Sequence, residues 1–410
     1  MVDNLYNKDK NFAETILGFS HKYLAPIYYL GFFLYAVAFD ITDVKSWIMI
    51  IGLAITLVYI GYSWYKHRKE KHYGRTKVVL LLPLTSDTNK LYVRDDVLHQ
   101  LMGYSKVYID RDNISTAIDF VIQDHKNKFE KAKELLNYHF SQGTEYFICT
   151  MSDVSNKLAH YIDDVYKTKK KKPILIATVT ASHNFSNFGE NIFRYYVRLD
   201  DEVNILYDQA KSYNSVSIIG IPSEYGREIA DGFKDKWNSN ETGLDIQQKN
   251  CLILPNDLSE EGSLTHFIEK NKSFLNTDVI VIALYGKTIY DTIRVLSSLQ
   301  IKPKLLLFTS TFNFNSTHIK TQAILDSYNW KYCVPKLKNN ELYKDNTVKD
   351  FTYRSIDRLS KTIDKLKEPN NKKSFKSIWS ESVHKDLHID QYSNGDENIK
   401  LQIIDKYYFI

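Results

Sequence analysis

The chain has 410 residues, 43% of them hydrophobic, with 54 Lys and Arg against 49 Asp and Glu, a formal net charge of +5. The segment 66 to 77 carries Lys66, Arg68, Lys69, Lys71, Arg75 and Lys77 against Glu70, a net +5 that equals the charge of the whole chain. The remainder therefore sums to zero, and charge makes no case for a nucleic-acid protein.

In chain order, the first predicted elements are two uncharged apolar stretches, YLAPIYYLGFFLYAVAF (23 to 39) and WIMIIGLAITLVYIGYSWY (47 to 65). As helices rising about 1.5 Å per residue, they approach the length needed to cross roughly 30 Å of hydrocarbon. The Trp/Tyr end of the second suits a headgroup layer. A buried core helix is the alternative for each. For the first, Ala36-Val37-Ala38 also has the form of a signal-peptide cleavage site, against which stand a long mixed-charge leader and a bulky aromatic middle.

Lys8, Lys10 and Lys22 precede the first stretch, Asp40, Asp43 and Lys45 lie between the two, and the six cations follow the second. By the positive-inside rule both ends face the cytoplasm. The expected organisation is a cytoplasmic segment 1–22, a two-helix transmembrane hairpin 23–65, a basic juxtamembrane linker 66–77 and a soluble domain 78–410. The linker serves as a topology signal or as a contact for anionic lipid headgroups. Cys149, Cys251 and Cys333 are odd in number and sit in or beside apolar runs, which reads as buried thiols in a reducing compartment.

From 78 onward there is room for two packed lobes but not for an additional catalytic domain of ordinary size. Short apolar runs at 77–85, 117–123, 145–151, 172–180, 215–221, 250–255, 278–285 and 304–311 read as strands buried on both faces. Between them lie helix-like segments, KFEKAKELLNYHF, VSNKLAHYIDDVY, YGREIADGFKDKWN, LTHFIEKNKSFL and TIYDTIRVLSSL. Repeated β-α units predict an α/β domain with parallel sheets flanked by helices, and sites at the carboxyl ends of the strands.

Five stretches carry a resemblance. VVLLLPLT resembles a first strand, ILIATVTASHNF a fourth strand with a ligand loop, SIIGIPSEYGREIADGFK the opening of a second lobe, and DVIVIALYGKTIYDTIRVL with the terminal GDENIKLQIIDKYYF a later ligand loop and closing hairpin. In order and spacing they resemble the type 1 periplasmic-binding-protein fold, the family of branched-chain amino-acid binding proteins and receptor ligand-binding regions. The resemblance covers essentially all of 78–410. It implies two lobes joined by three crossovers, lobe one about 78–198 plus 335–380 and lobe two about 199–334 plus 381–410, with a ligand held between them.

Small hydroxylated residues cluster at the loop positions: Thr150, Ser152, Thr180, Ser182, Thr309, Ser310 and Thr311. Hydroxyls and free N–H groups at helix starts suit a carboxylate or phosphate, and Ser and Thr are equally good N-caps there. The resemblance places Ala181 and Ser182 on the family's Ala-Ser/Thr pair and Tyr225 on its Tyr-Gly. It puts Tyr225, Tyr285 and Tyr353 where an aromatic wall contacts ligand. The family's amino-acid binders hold the ligand ammonium with a carboxylate, but the loop after KLLLF reads TSTFNF here. Asp153 and Asp350 are substitutes, or helix N-caps, and a small polar or anionic ligand is equally admissible.

Gly286-Lys287-Thr288 lacks the upstream Gly of a phosphate loop, whose place is taken by Val281, though Lys287 remains a candidate to face an anion. His384 and His388 lack the Glu of the zinc-protease motif and a third ligand, so no metal and no cofactor is expected. The lysines of 167 to 172 read as a solvated helix terminus. No nucleophile and base stand at motif spacing, so no enzyme is expected.

These readings converge on a multi-pass protein of the cell membrane: a sensor or effector whose cytoplasmic domain closes on a small polar ligand and which works as a homo-oligomer. Two-span proteins with sensory domains resemble effectors of bacterial conflict and antiphage systems. The alternative is an outward-facing solute-binding component of an ABC transporter. A third reading is a scaffold that keeps the fold without a ligand.

Overall fold

Val78, Val79, Leu80, Leu81 and Leu82 are each at most 2% exposed, because the strand they form, β1 (Thr76–Leu82), lies inside a sheet that is covered on both faces. The structure, a computed structural model, describes residues 76–85, 118–181, 185, 188–239, 250–255, 261–312, 319–338, 347–368, 371–382, 389–391 and 397–405. The predicted hairpin 23–65, nearly all of the linker, Ser182, His384 and His388 lie outside the described residues. Among the described residues no helix is long and apolar enough to cross a membrane.

Every predicted strand run contains a strand. β1, β2 (Ile118–Asp124), β3 (Tyr146–Thr150), β4 (Ile174–Thr178) and β5 (Ile192–Tyr195) form a parallel sheet in the order β2-β1-β3-β4-β5. A second sheet has the order β13-β10-β9-β8-β6-β7, built from β6 (Val216–Gly220), β7 (Cys251–Ile253), β8 (Val279–Ala283), β9 (Leu305–Phe308), β10 (Trp330–Pro335) and β13 (Leu401–Asp405). β13 alone runs antiparallel, against β10. β11 (Ile389–Gln391) and β12 (Glu397–Ile399) form a separate two-stranded ribbon.

β5 and β10 were not among the predicted runs. Arg194 interrupts the apolar character of β5, yet it is 1% exposed, with its guanidinium 5.7 Å from the Phe185 ring centre. Lys331 does the same to β10.

The helices are α1 (Phe129–Ser141), α2 (Ser152–Tyr166), α3 (Leu199–Ala210), α4 (Glu224–Asn238), α5 (Glu261–Lys270), α6 (Gly286–Ser298), α7 (Ile319–Leu325), α8 (Thr347–Leu366) and α9 (Phe375–Glu381). LTHFIEKNKSFL, read as one helix, is two: α5 stops at Lys270 and a 3-10 turn, Lys272–Leu275, follows. Asn271 between them turns its side-chain amide onto the Phe267 carbonyl at 2.8 Å, a local bond that competes with helix continuation.

Alternation along β1 sends Val79 and Leu81 into a core with Leu136 of α1 and Leu158 of α2, while Val78 and Leu80 face the main core, which runs on into the second sheet. α8 and α9 return to the first sheet. Thr178 on β4 donates to the Phe351 carbonyl of α8 at 3.4 Å, and Phe193 of β5 packs on Phe375 and Trp379 of α9 at ring separations of 5.2 and 5.6 Å. Arg358 of α8, fully buried, donates its Nε to the Trp379 carbonyl at 3.0 Å and lies 4.3 Å from that ring's centre. The chain thus leaves the first sheet after β5, builds the second through β10, goes back for α8 and α9, and ends in the second as β13.

Candidate functional site

Parallel strands deliver their following loops to one end of a sheet, and the described hydroxyls of the sequence reading lie in such loops, those of Ser152, Thr180, Thr309 and Thr311 bonded within each sheet's half. In the first sheet, Thr150 ends β3 fully buried and Ser152 opens α2. The backbone between them turns through Met151 at φ 75°, and β4 is followed by Val179 at φ 54°. For Val, a β-branched residue, this left-handed conformation is strained. The two turns bring the loops together: the Ala181 N–H donates to the Ser152 hydroxyl at 3.3 Å, and the Ser155 and Thr180 hydroxyls are 2.6 Å apart.

In the second sheet, Tyr225 in the first turn of α4 stacks on Tyr285, the N-cap of α6, with ring centres 5.3 Å apart and planes inclined by 24°. Both rings are at most 8% exposed. Thr309 and Ser310, after β9, are fully buried. Thr309 bonds the Thr311 hydroxyl at 2.9 Å, and Thr311 donates to the Leu284 carbonyl at 2.6 Å.

At the centre of this half lies a residue the sequence reading did not single out. Glu202 of α3 has no solvent exposure; its carboxylate accepts the Ser310 backbone N–H and, at 3.1 Å, the Tyr225 hydroxyl. Burial pushes its carboxyl above the usual range, against the pull of the Ser310 and Tyr225 hydrogen bonds. The Tyr225 phenol is held well above its ordinary value by the same burial and by the Glu202 charge. Ser310 is tied on its other side as well, its carbonyl accepting the Thr347 hydroxyl at the start of α8.

The other candidates have partners of their own. Lys287 pairs with buried Asp291 on its own helix at 3.2 Å, and Tyr353 sits half-buried on α8 against the main core. Asp350 accepts the Arg354 Nε at 2.6 Å, one turn along α8. Asp153 accepts the Glu224 backbone N–H at 2.6 Å, joining the helix that follows β3 to the one that follows β6. A cavity of about 370 Å³ lined by Lys77, Thr144, Glu145 and Tyr146 lies at the amino ends of β1 and β3, the opposite end from these loops. Among the described residues no cluster of His, Cys, Asp and Glu could hold a metal. All three cysteines are free and buried, with thiols pushed up chiefly by burial.

No family model matches the sequence, and no curated protein does. Solved structures do match. A leucine-binding protein from Thermotoga maritima superposes with a TM-score of 0.59 over 80% of this chain and 94% of its own, at 12% identity. An ABC-transporter solute-binding protein from R. palustris, in complex with benzoate, gives 0.59 over 80% and 92% at 13% identity. A leucine-, isoleucine-, valine-, threonine- and alanine-binding protein from Brucella ovis, in a closed conformation, gives 0.51 over 80% and 89% at 11% identity. The described domain therefore has the two-lobed fold of the type 1 periplasmic binding proteins. Lobe one holds the first sheet and lobe two the second.

Proposed function

We propose that this chain is a membrane-tethered receptor whose two-lobed domain takes a small polar ligand between the carboxyl ends of its sheets, and which acts as a sensor or effector rather than an enzyme. The observation that carries the reading is the buried Tyr225 and Tyr285 stack, which with Thr309 and Ser310 follows strands of the second sheet at their carboxyl ends. Aromatic faces with a few placed polar groups suit a small molecule such as the benzoate and amino acids named for the similar structures.

The tether rests on the two apolar stretches, and the cytoplasmic orientation on the cations of 66 to 77. Lobe boundaries near 198, 334 and 380, a homo-oligomer, contact with the bilayer and a place in a conflict or antiphage system belong to the same proposal. The transporter-component reading differs in putting the domain outside. Cysteine labelling of intact cells separates the two: a probe at Thr42 reacts and one at Asn394 does not if the sensor reading holds.

Mass spectrometry of small molecules that copurify with the detergent-solubilised full chain tests ligand binding. A ligand retained by the wild type and lost from Tyr225→Ala supports the site. The scaffold reading has one observation in its favour: Ser152, Ser155, Thr180, Tyr225, Thr309 and Thr311 all hydrogen-bond within the protein. Consistent absence of any small molecule would favour it.

A further inference from the structure

One turn of α2 makes a contact between the lobes. Asp153 accepts the backbone N–H of Glu224 at 2.6 Å, and Asn156, three residues along the same helix face, donates its side-chain amide to the Glu224 carboxylate. Main chain and side chain of one residue in lobe two are thus gripped by two side chains of lobe one.

Asp153 stands in the first turn of α2 and against the first N–H of α4, so a single carboxylate faces the positive ends of two helices. Glu224 is in the first turn of α4. Burial raises both carboxyls and the Asp153 charge raises Glu224 further, while the Glu224 N–H, Lys157 and Arg227 at Asp153, and the Asn156 amide, Lys157 and His160 at Glu224, work against that rise.

A ligand closes a two-lobed cleft only by binding the closed form better than the open one, which calls for facing groups free to bond it. Here those groups have partners already. Ser152 takes the Ala181 N–H, Thr180 bonds Ser155, Thr311 bonds the Leu284 carbonyl, and Tyr225 bonds Glu202. At the hinge end Thr347 of α8 holds the Ser310 carbonyl of lobe two. We infer that Asp153 and Asn156 form a built-in latch on Glu224 that keeps the cleft closed without ligand, so that the input to this protein opens the lobes. This rests on the two-lobed fold and not on the identity, or even the existence, of a small ligand.

The test is the distance between spin labels at Asp164→Cys on α2 and Asp235→Cys on α4, both exposed, in the detergent-solubilised full chain. The native thiols are buried. The protein is dialysed until mass spectrometry finds no bound small molecule. The latch predicts one narrow, short distance for the ligand-free protein. Removing a charge-assisted hydrogen bond in Asp153→Ala should lower the closed-to-open ratio about 10- to 100-fold and add a longer distance. If that variant fails to fold, Asn156→Ala, which removes only the side-chain half, must still lengthen the distribution. A ligand-free wild type with the long or broad distribution of the variants overturns the latch. So does a wild type that opens when a copurified molecule is dialysed away, and that result would at the same time support the ligand-binding reading.

Discussion

The Tyr225 hydroxyl and the Glu202 carboxylate are 3.1 Å apart and shielded from solvent, which fixes the Tyr225 ring to α3, the helix that follows β5. A carboxylate taken wholly out of water is costly when its partners are neutral donors, and the Ser310 N–H and the tyrosine are both neutral. Its chemistry gives the first prediction.

Because the folded-state carboxyl of Glu202 is raised, the stability it contributes is fully present below the unfolded value of about 4.3 and is lost as pH rises through the folded value. Asp153 and Glu224 carry the same sign. Thermal unfolding measured upward from about pH 4 should therefore show a decline in the wild type that is smaller in Glu202→Gln. Parallel curves for the two proteins would mean that Glu202 does not titrate between the folded and unfolded states.

His125 has the opposite sign. Buried after β2, it is lowered to about 4, burial outweighing the Asp124 charge that raises it. Its contribution is intact above the unfolded value of about 6.5 and is lost as pH falls toward the folded one, up to about 3 kcal/mol over the whole interval. Urea unfolding at neutral pH and at about pH 5 should show an acid loss in the wild type that shrinks in His125→Met.

Tyr225→Phe keeps the stacked ring and removes the hydroxyl, with its bond to Glu202 and its interaction with Thr309. It should cost about 1 to 3 kcal/mol of stability. Tyr225→Ala removes the ring as well and should cost about 3 to 5 kcal/mol. Equal losses in the two variants would put the whole effect in the hydroxyl and none in the stacking.

Two glycines make a matched pair. A Cβ on Gly226 would lie 2.1 Å from the Ile221 carbonyl oxygen, whereas one on Gly262 in α5 meets nothing within 4 Å. Gly226→Ala should destabilise by about 3 kcal/mol through overpacking, and Gly262→Ala should stabilise by about 0.5 to 1 kcal/mol through helix propensity. Denaturation midpoints of the two single variants check both signs.

Strands were legible where both faces are covered, because burial there demands unbroken apolar runs, as in β1 and β8. β5 was not, since Arg194 is buried through its contact with the Phe185 ring rather than through apolarity. Among the candidates, Tyr225 and Tyr285 were expected in loops after strands from the family resemblance, and Thr309 and Ser310 from the run KLLLF, and each does follow a strand. Glu202 could not be placed that way: it sits in the acidic triplet 200 to 202, which reads as a solvated helix start. Only its helical phase with Leu199, Val203 and Leu206, all buried, marks it as inward-facing. The partner of Asp153 was illegible for another reason, since a backbone N–H in a distant helix leaves no trace in side-chain pattern.

Gly226 has a wider consequence than its own substitution. The first turn of α4 rests on the end of β6 with no room for a methyl group, and Glu224 is two residues ahead of that contact. The missing Cβ therefore acts as a spacer of zero thickness. Any side chain there would shift the start of α4 relative to its own sheet, and the clearance between the lobes would change by a comparable amount without a single residue of lobe one being altered.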